Sequence, residues 1–234
     1  MTRGDFLSFP CQRIIGDVAI RDHALTALLV LEALTLFVAA PLAGMGIRSP
    51  LLIGGMLGIP LALAIVIISP NMGARLLATF ATALAFAGAA FRISHPSIQS
   101  IWLGHGAAIV AVIAISWVIG QAVFAPGRVT HHRIEGAVIL YLNIAVLFTS
   151  AYRLVSELDP AGFVDVPAGE PEAAAISGML YFSFSTLTST GFGEIRPLHP
   201  IARSLANLES VLGQLYLTIL LARLVTLHIE ARRD

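Results

Sequence analysis

Long apolar runs alternate with short polar punctuation along this chain. A bilayer core about 30 Å thick takes about 20 apolar residues per helix. Six runs are of that kind: 24–46, 51–69, the shorter 76–91, 101–124, 134–155 and 201–229. Between them stand "RSP" (48–50), "SPNMGAR" (69–75), "RISHPS" (92–97) and "APGRVTHHR" (125–133). These clusters of Pro, Gly and charge read as short loops. The pattern predicts an all-α membrane protein with six transmembrane helices, the first four lying within 24–124 and a linker over 125–133.

The connection between the fifth and sixth runs breaks this rhythm. Residues 156–173 are acidic and rich in Pro and Gly, a wet loop. Residues 174–188, "AAISGMLYFSFSTLT", are apolar but too short to cross a membrane and return. Then comes "STGFG" (189–193), and then the last long helix. A short apolar helix followed by irregular backbone reads as a re-entrant loop. Irregular backbone at membrane depth is tolerated only where it is buried in protein or lines a water-filled path. Gly191 and Gly193 permit positive φ, so successive carbonyls can line one side of a narrow path. Four copies around an axis would turn that line into rings of oxygens able to replace a cation's hydration shell. The Ser189 hydroxyl would add a ring at the inner end.

Composition supports the membrane reading. The chain is 57% hydrophobic and 12% charged, and a soluble domain carries about twice that charge. The balance of 14 Lys+Arg against 14 Asp+Glu leaves no basic surface for nucleic acid. Cys11 is the single cysteine, which excludes an intrachain disulfide and a cysteine metal site. The first apolar run begins only at Ala24, after Arg3, Asp5, Arg13, Asp17, Arg21 and Asp22. A signal peptide places its apolar core earlier, so residues 1–23 are expected to stay as a cytoplasmic N-terminal segment. Arg3, Arg13, Arg21, Arg75, Arg128, Arg133, Arg232 and Arg233 then fall inside, against Arg48, Arg92, Arg153, Arg196 and Arg203 outside. That bias follows the positive-inside rule and predicts a multi-pass protein of the inner cell membrane with both termini cytoplasmic.

Thr188, Ser189, Thr190, Gly191, Phe192, Gly193 and Glu194, with "YFSFSTLT" before the glycines and "EIRPLHPIARSLANLESVLGQLYLTILLARLV" after, carry a family resemblance. The segment resembles the tetrameric potassium channels with one pore loop per subunit, whose filter reads TVGYG. The six-span layout is that of a bacterial-type member without voltage sensing. The resemblance implies a homotetramer with a pore domain over 134–234: outer helix 134–155, turret 156–173, pore helix 174–188, filter 189–193 and inner helix 201–229. It implies passive K+ conduction, with K+ held at Ser189, Thr190, Gly191 and Phe192 as the permeant species, no organic cofactor and no enzymatic activity. The partners would be other copies of the chain, the lipid bilayer and monovalent cations. Tyr181, Ser185 and Glu194 would support the filter. Gly213 would be an inner-helix hinge, and Leu217, Leu221 and Val225 a cavity wall and gate that closes by dewetting. The pore helix C-terminus would turn its partial negative charge toward a central cation.

Several positions depart from the family pattern. Ser189 stands for Thr, Thr190 for Val or Ile, Phe192 for Tyr and Glu194 for Asp, and Ser185 stands where some members hold Glu. The carbonyl path survives these changes. The bracing around it differs, which keeps a weakly selective Na+/K+ channel of the same fold as an alternative. Of the acidic residues Glu157, Asp159, Asp165, Glu170, Glu172 and Glu194 at the outer mouth, only Glu194 is tied to the filter by position.

Span four carries no Arg, so it cannot move charge through the membrane field as a voltage sensor does. Two acids lie within spans. Glu209 is expected to be buried and hydrogen-bonded to a pore-helix Ser or Thr, and Glu32 to pair with Thr35 or His105 or to face water. His131 and His132 fall in the linker, where a pH switch competes with a plain interfacial loop. Gating by a nucleotide- or Ca2+-binding module on this chain is not expected. An intramembrane serine protease would need its serine in a defined Gly motif with a His in reach, and a transporter subunit would show repeats or paired broken helices. Neither pattern is present.

Overall fold

A computed structural model describes residues 25–46, scattered positions between 72 and 91, 97–124, 131–165 and 172–230. Four helices among the described residues are long and apolar enough to cross a membrane. They are α1 (Leu25–Gly44), α2 (Ile98–Val123), α3 (His131–Leu158) and α5 (Pro200–Glu230). Between α3 and α5 lie β1 (Phe163–Val164), the shorter helix α4 (Glu172–Leu187) and β2 (Arg196–Pro197). The predicted span at 51–69 and the N-terminal segment 1–23 lie outside the described residues, and the span at 76–91 is described only at scattered helical positions.

Local sequence sets the helix ends. Ser97 caps α2: its hydroxyl accepts from Ser100 N at 3.2 Å, and Ser100 Oγ accepts from Ser97 N at 2.9 Å. That reciprocal box satisfies two amides with no helical partner. Pro200 opens α5, where a missing N–H costs nothing and φ is already helical. In α1 the turn Thr35–Ala39 widens to a π-helical turn just before Pro41, whose ring removes a donor from the regular ladder.

Packing forms two main buried clusters. In the first, Leu25 and Leu28 of α1, Ile115, Val118, Ile119 and Val123 of α2, and Ala137, Ile139 and Leu140 of α3 come together, with Tyr216 and Leu220 of α5 against them. Thr26 donates to Glu135 at 2.8 Å between α1 and α3, and the Arg223 guanidinium lies 5.0 Å over the Phe124 ring. Phe148 and Tyr152 of α3, Phe163 of β1, Met179 and Phe182 of α4 and Ala202 of α5 form the second cluster. β1 and β2 pair antiparallel, Phe163 opposite Pro197 and Val164 opposite Arg196. This clip fastens the start of the turret to the segment leaving the Gly-rich run.

Three expectations change here. His131 and His132 are not in the linker, because α3 begins at His131 and takes both into its first turn. Glu157 is not an acid of the mouth. It sits in the last turns of α3, ion-paired to Arg153 one turn earlier, and His105 Nε2 lies 3.2 Å from the same carboxylate. His105 is therefore placed beside Glu157, although its Nε2 makes no hydrogen bond among the described residues. Glu32 is itself buried at 5% exposure, so it does not face water, and neither of its oxygens has a hydrogen-bond partner among the described residues.

Candidate functional site

The site begins with how α4 ends. Thr190 N donates to the Ser185 carbonyl at 2.8 Å, and Ser189 N to the Thr186 carbonyl at 2.9 Å. Those two bonds define a Schellman cap with Ser189 in the left-handed position. Ser189 has φ 56°, where glycine is the usual occupant. Gly191 (φ 63°) and Gly193 (φ 82°) repeat positive φ at alternate positions. The helix cap thus runs directly into an alternating backbone.

That backbone turns its donors one way. Thr190 N and Gly191 N both donate to the Ser185 carbonyl, at 2.8 and 3.1 Å, and Phe192 N donates to Ser185 Oγ at 3.2 Å. All of these peptides are trans. In a trans peptide the C=O points opposite to the N–H of the next residue. The carbonyls of Ser189, Thr190 and Gly191 therefore point away from α4 into open space. Among the described residues, none of the backbone hydrogen bonds outside helices and strands ends on them.

Side chains lock this geometry. Thr190 Oγ1 lies 2.8 Å from Thr188 Oγ1, and Thr188 Oγ1 donates to the Phe184 carbonyl at 2.7 Å. The hydroxyl of Thr190, new at a position the family pattern fills with a hydrocarbon, has a partner. Phe192 lacks the phenol of a Tyr but stacks on Tyr181, with centroids 5.7 Å apart and planes 12° from parallel. Tyr181 and Ser185 both meet the loop, one by stacking and one by a hydrogen bond.

Behind the loop lies a polar clasp. Glu209 is fully buried at 0% exposure. Tyr152 of α3 donates to Glu209 Oε2 at 2.6 Å, and Ser183 of α4 is hydrogen-bonded to Oε1. Ser183 Oγ also meets the Ala145 carbonyl at 2.9 Å. One acid of the inner helix thus joins the outer and pore helices. Ser183 and Tyr152 were not singled out from the sequence. A hydroxyl facing a single intramembrane acid was the only signal for either.

Gly213 stands where α5 crosses the end of α4. A Cβ there would collide with the Leu187 carbonyl oxygen and lie 2.9 Å from its carbon. Tyr141 of α3 reaches the same oxygen at 3.4 Å. α5 is unbroken through this point. At Gly213 the visible feature is close packing. Leu217, Leu221 and Val225 are 49%, 64% and 50% exposed. At about 100° per residue they share a face with Ser210 and Gln214, and Gly213 lies at its edge.

The surface of α5 is the last element. Within its most apolar window, 11% of residues are buried, against 56% for α3. Ser210, Gln214 and Thr218 recur at i, i+4 and i+8 on this lightly covered helix. Polar side chains at membrane depth face a bundle interior or water. An extended run of free carbonyls thus lies beside a helix face that is polar near the run and apolar below it.

This geometry is borne by one stretch of chain. Residues 137–230 match the family model described as ion channel. Over those residues the chain is similar to an ion-channel family. The match takes in most of α3, the turret, α4, the Gly-rich run and α5. No curated protein and no solved structure matches the chain. The ion-channel match and the four helices long and apolar enough to cross a membrane together point to a membrane protein.

Proposed function

We propose that four copies of this chain surround a central axis and form a passive, K+-selective channel in the cell membrane, with both termini cytoplasmic. The observation that carries the reading is the one-sided backbone at Thr190, Gly191 and Phe192, whose N–H groups all turn onto Ser185. One chain then presents the carbonyls of Ser189, Thr190 and Gly191 as a column. Four columns make rings that replace the hydration shell of a monovalent cation, which advances by knock-on between adjacent sites. The sparse covering of α5 fits a helix that neighbouring copies complete. Below the filter, Leu217, Leu221 and Val225 would form apolar rings that gate by dewetting.

A weakly selective cation channel of the same fold is the second reading. Phe192 favours it, because its ring is 65% exposed in one protomer and is held by stacking alone. Reversal potentials separate the two. With K+ on one side of a planar bilayer and Na+ on the other, the purified protein is expected to reverse far toward the K+ equilibrium potential. Reversal near zero would assign the weakly selective reading.

A further inference from the structure

The hydroxyl at the inner end of the filter is held by the inner helix. Gln214 Nε2 donates to Ser189 Oγ at 3.0 Å, and Ser210 Oγ lies 3.1 Å from the same atom. Ser210 and Gln214 are one helical turn apart on α5, so the pair grips Ser189 from one direction. Ser189 itself is pinned in a left-handed conformation, φ 56°, by the cap that ends α4. Its backbone is therefore set by the pore helix and its side chain by the inner helix.

A hydroxyl has one proton and two lone pairs. Accepting from Gln214 takes one lone pair, and in the arrangement where Ser189 is the donor of its bond with Ser210 the proton is used as well. One lone pair remains, and its direction is fixed by the other two bonds. A threonine holds its χ1 by having two heavy atoms on Cβ. Serine lacks that constraint, and free rotation would let its oxygen leave the ion path. On a channel reading, four such oxygens form the innermost ring.

We propose that Gln214, assisted by Ser210, is a positioning residue for selectivity: it aims the Ser189 hydroxyl at the innermost cation site and replaces the methyl group this position lacks. The proposal rests on the channel reading above. Under it, Gln214 touches no ion and acts through Ser189. Its place on the exposed face of α5 makes it replaceable without disturbing the buried packing of the protomer.

The test uses the full-length protein in planar bilayers under K+/Na+ bi-ionic conditions, comparing wild type, Gln214→Leu, Ser189→Thr and the double variant. Gln214→Leu is expected to lower the K+ to Na+ permeability ratio about fivefold, the worth of one hydrogen bond, and to reduce the unitary K+ current. Adding Ser189→Thr to Gln214→Leu should raise the ratio above that of Gln214→Leu alone, because the extra methyl fixes χ1 without the glutamine. An unchanged ratio and unitary current in Gln214→Leu would overturn the proposal. So would a Gln214→Leu deficit that Ser189→Thr leaves in place, since that marks a general structural loss. If Gln214→Leu fails to assemble, Ser210→Ala loosens the same hydroxyl from its other side. A fall in its ratio supports the proposal, and a wild-type ratio overturns it. A wild-type protein that passes no current overturns the channel reading itself, whereas failure confined to the variants overturns only the role of Gln214.

Discussion

Replacing Gly213 by alanine is expected to lower the thermal midpoint of the detergent-solubilised protein and to abolish its cation current. The new methyl would overlap the Leu187 carbonyl oxygen and lie 3.1 Å from Leu187 Cδ1. Leu187 cannot retreat. It is fully buried at 0% exposure, its oxygen is engaged by Tyr141, and it immediately precedes the cap that sets the Gly-rich run. α5 must therefore move instead, and it carries Glu209, Ser210 and Gln214. Overpacking of this kind costs about 1–3 kcal/mol, and the hydrogen bonds from α5 to Ser183 and Ser189 would stretch with it. A hinge predicts something else: alanine would leave the fold intact and change only opening. A Gly213→Ala protein with wild-type stability and altered gating alone would support the hinge against close packing.

Removing the carboxyl of Glu209 is the other substitution with a large expected effect. Glu209→Ala leaves the Tyr152 hydroxyl buried with its acceptor gone, while Ser183 keeps the Ala145 carbonyl, and opens a void beside them. Unsatisfied groups cost about 1–3 kcal/mol each, and the void adds to that. Glu209→Gln is expected to stay within about 1 kcal/mol of wild type. Its amide oxygen can accept from Tyr152, and its N–H can donate to Ser183 Oγ, which then donates to the Ala145 carbonyl already 2.9 Å away. Thermal melts of the two variants in the same detergent check this. Equal loss in both would show that the carboxyl group matters for more than its hydrogen bonds.

Four of the apolar runs and the short helix before the Gly-rich run were legible, because bilayer thickness imposes length on apolar segments and because a short apolar run ending in glycines reads as a helix with irregular backbone after it. The alternating φ was foreseen at Gly191 and Gly193 and missed at Ser189. There a helix cap imposes a left-handed conformation on a residue that does not advertise it. The buried site of Glu209 followed from the cost of an intramembrane acid. A serine of the short helix was foreseen as its partner and is Ser183; Tyr152 was not, since it lies 57 residues away and nothing local points to it. Glu157 and His105 were misplaced for a related reason: a loop boundary drawn at 155 put the acid in water, whereas α3 continues to Leu158. The contact of α1 with the pore helix was also invisible. Phe37 meets Phe184 with centroids 5.2 Å apart, and Leu36 packs with Leu180, so the first span buttresses the filter's own helix. Ser210 and Gln214 did leave a mark in the sequence, a polar spacing of four along an apolar span.

The central claim is that carbonyls of several chains face one axis and hold cations there. An experimental structure of the purified protein in membrane mimetic, solved with Tl+ or Rb+ in place of K+ and with anomalous data collected, tests it directly. The account predicts four chains around one axis, with anomalous peaks along that axis between the carbonyls of Ser189, Thr190 and Gly191. A monomer whose Ser189–Gly193 run packs against its own helices, with no ion on any symmetry axis, would contradict it.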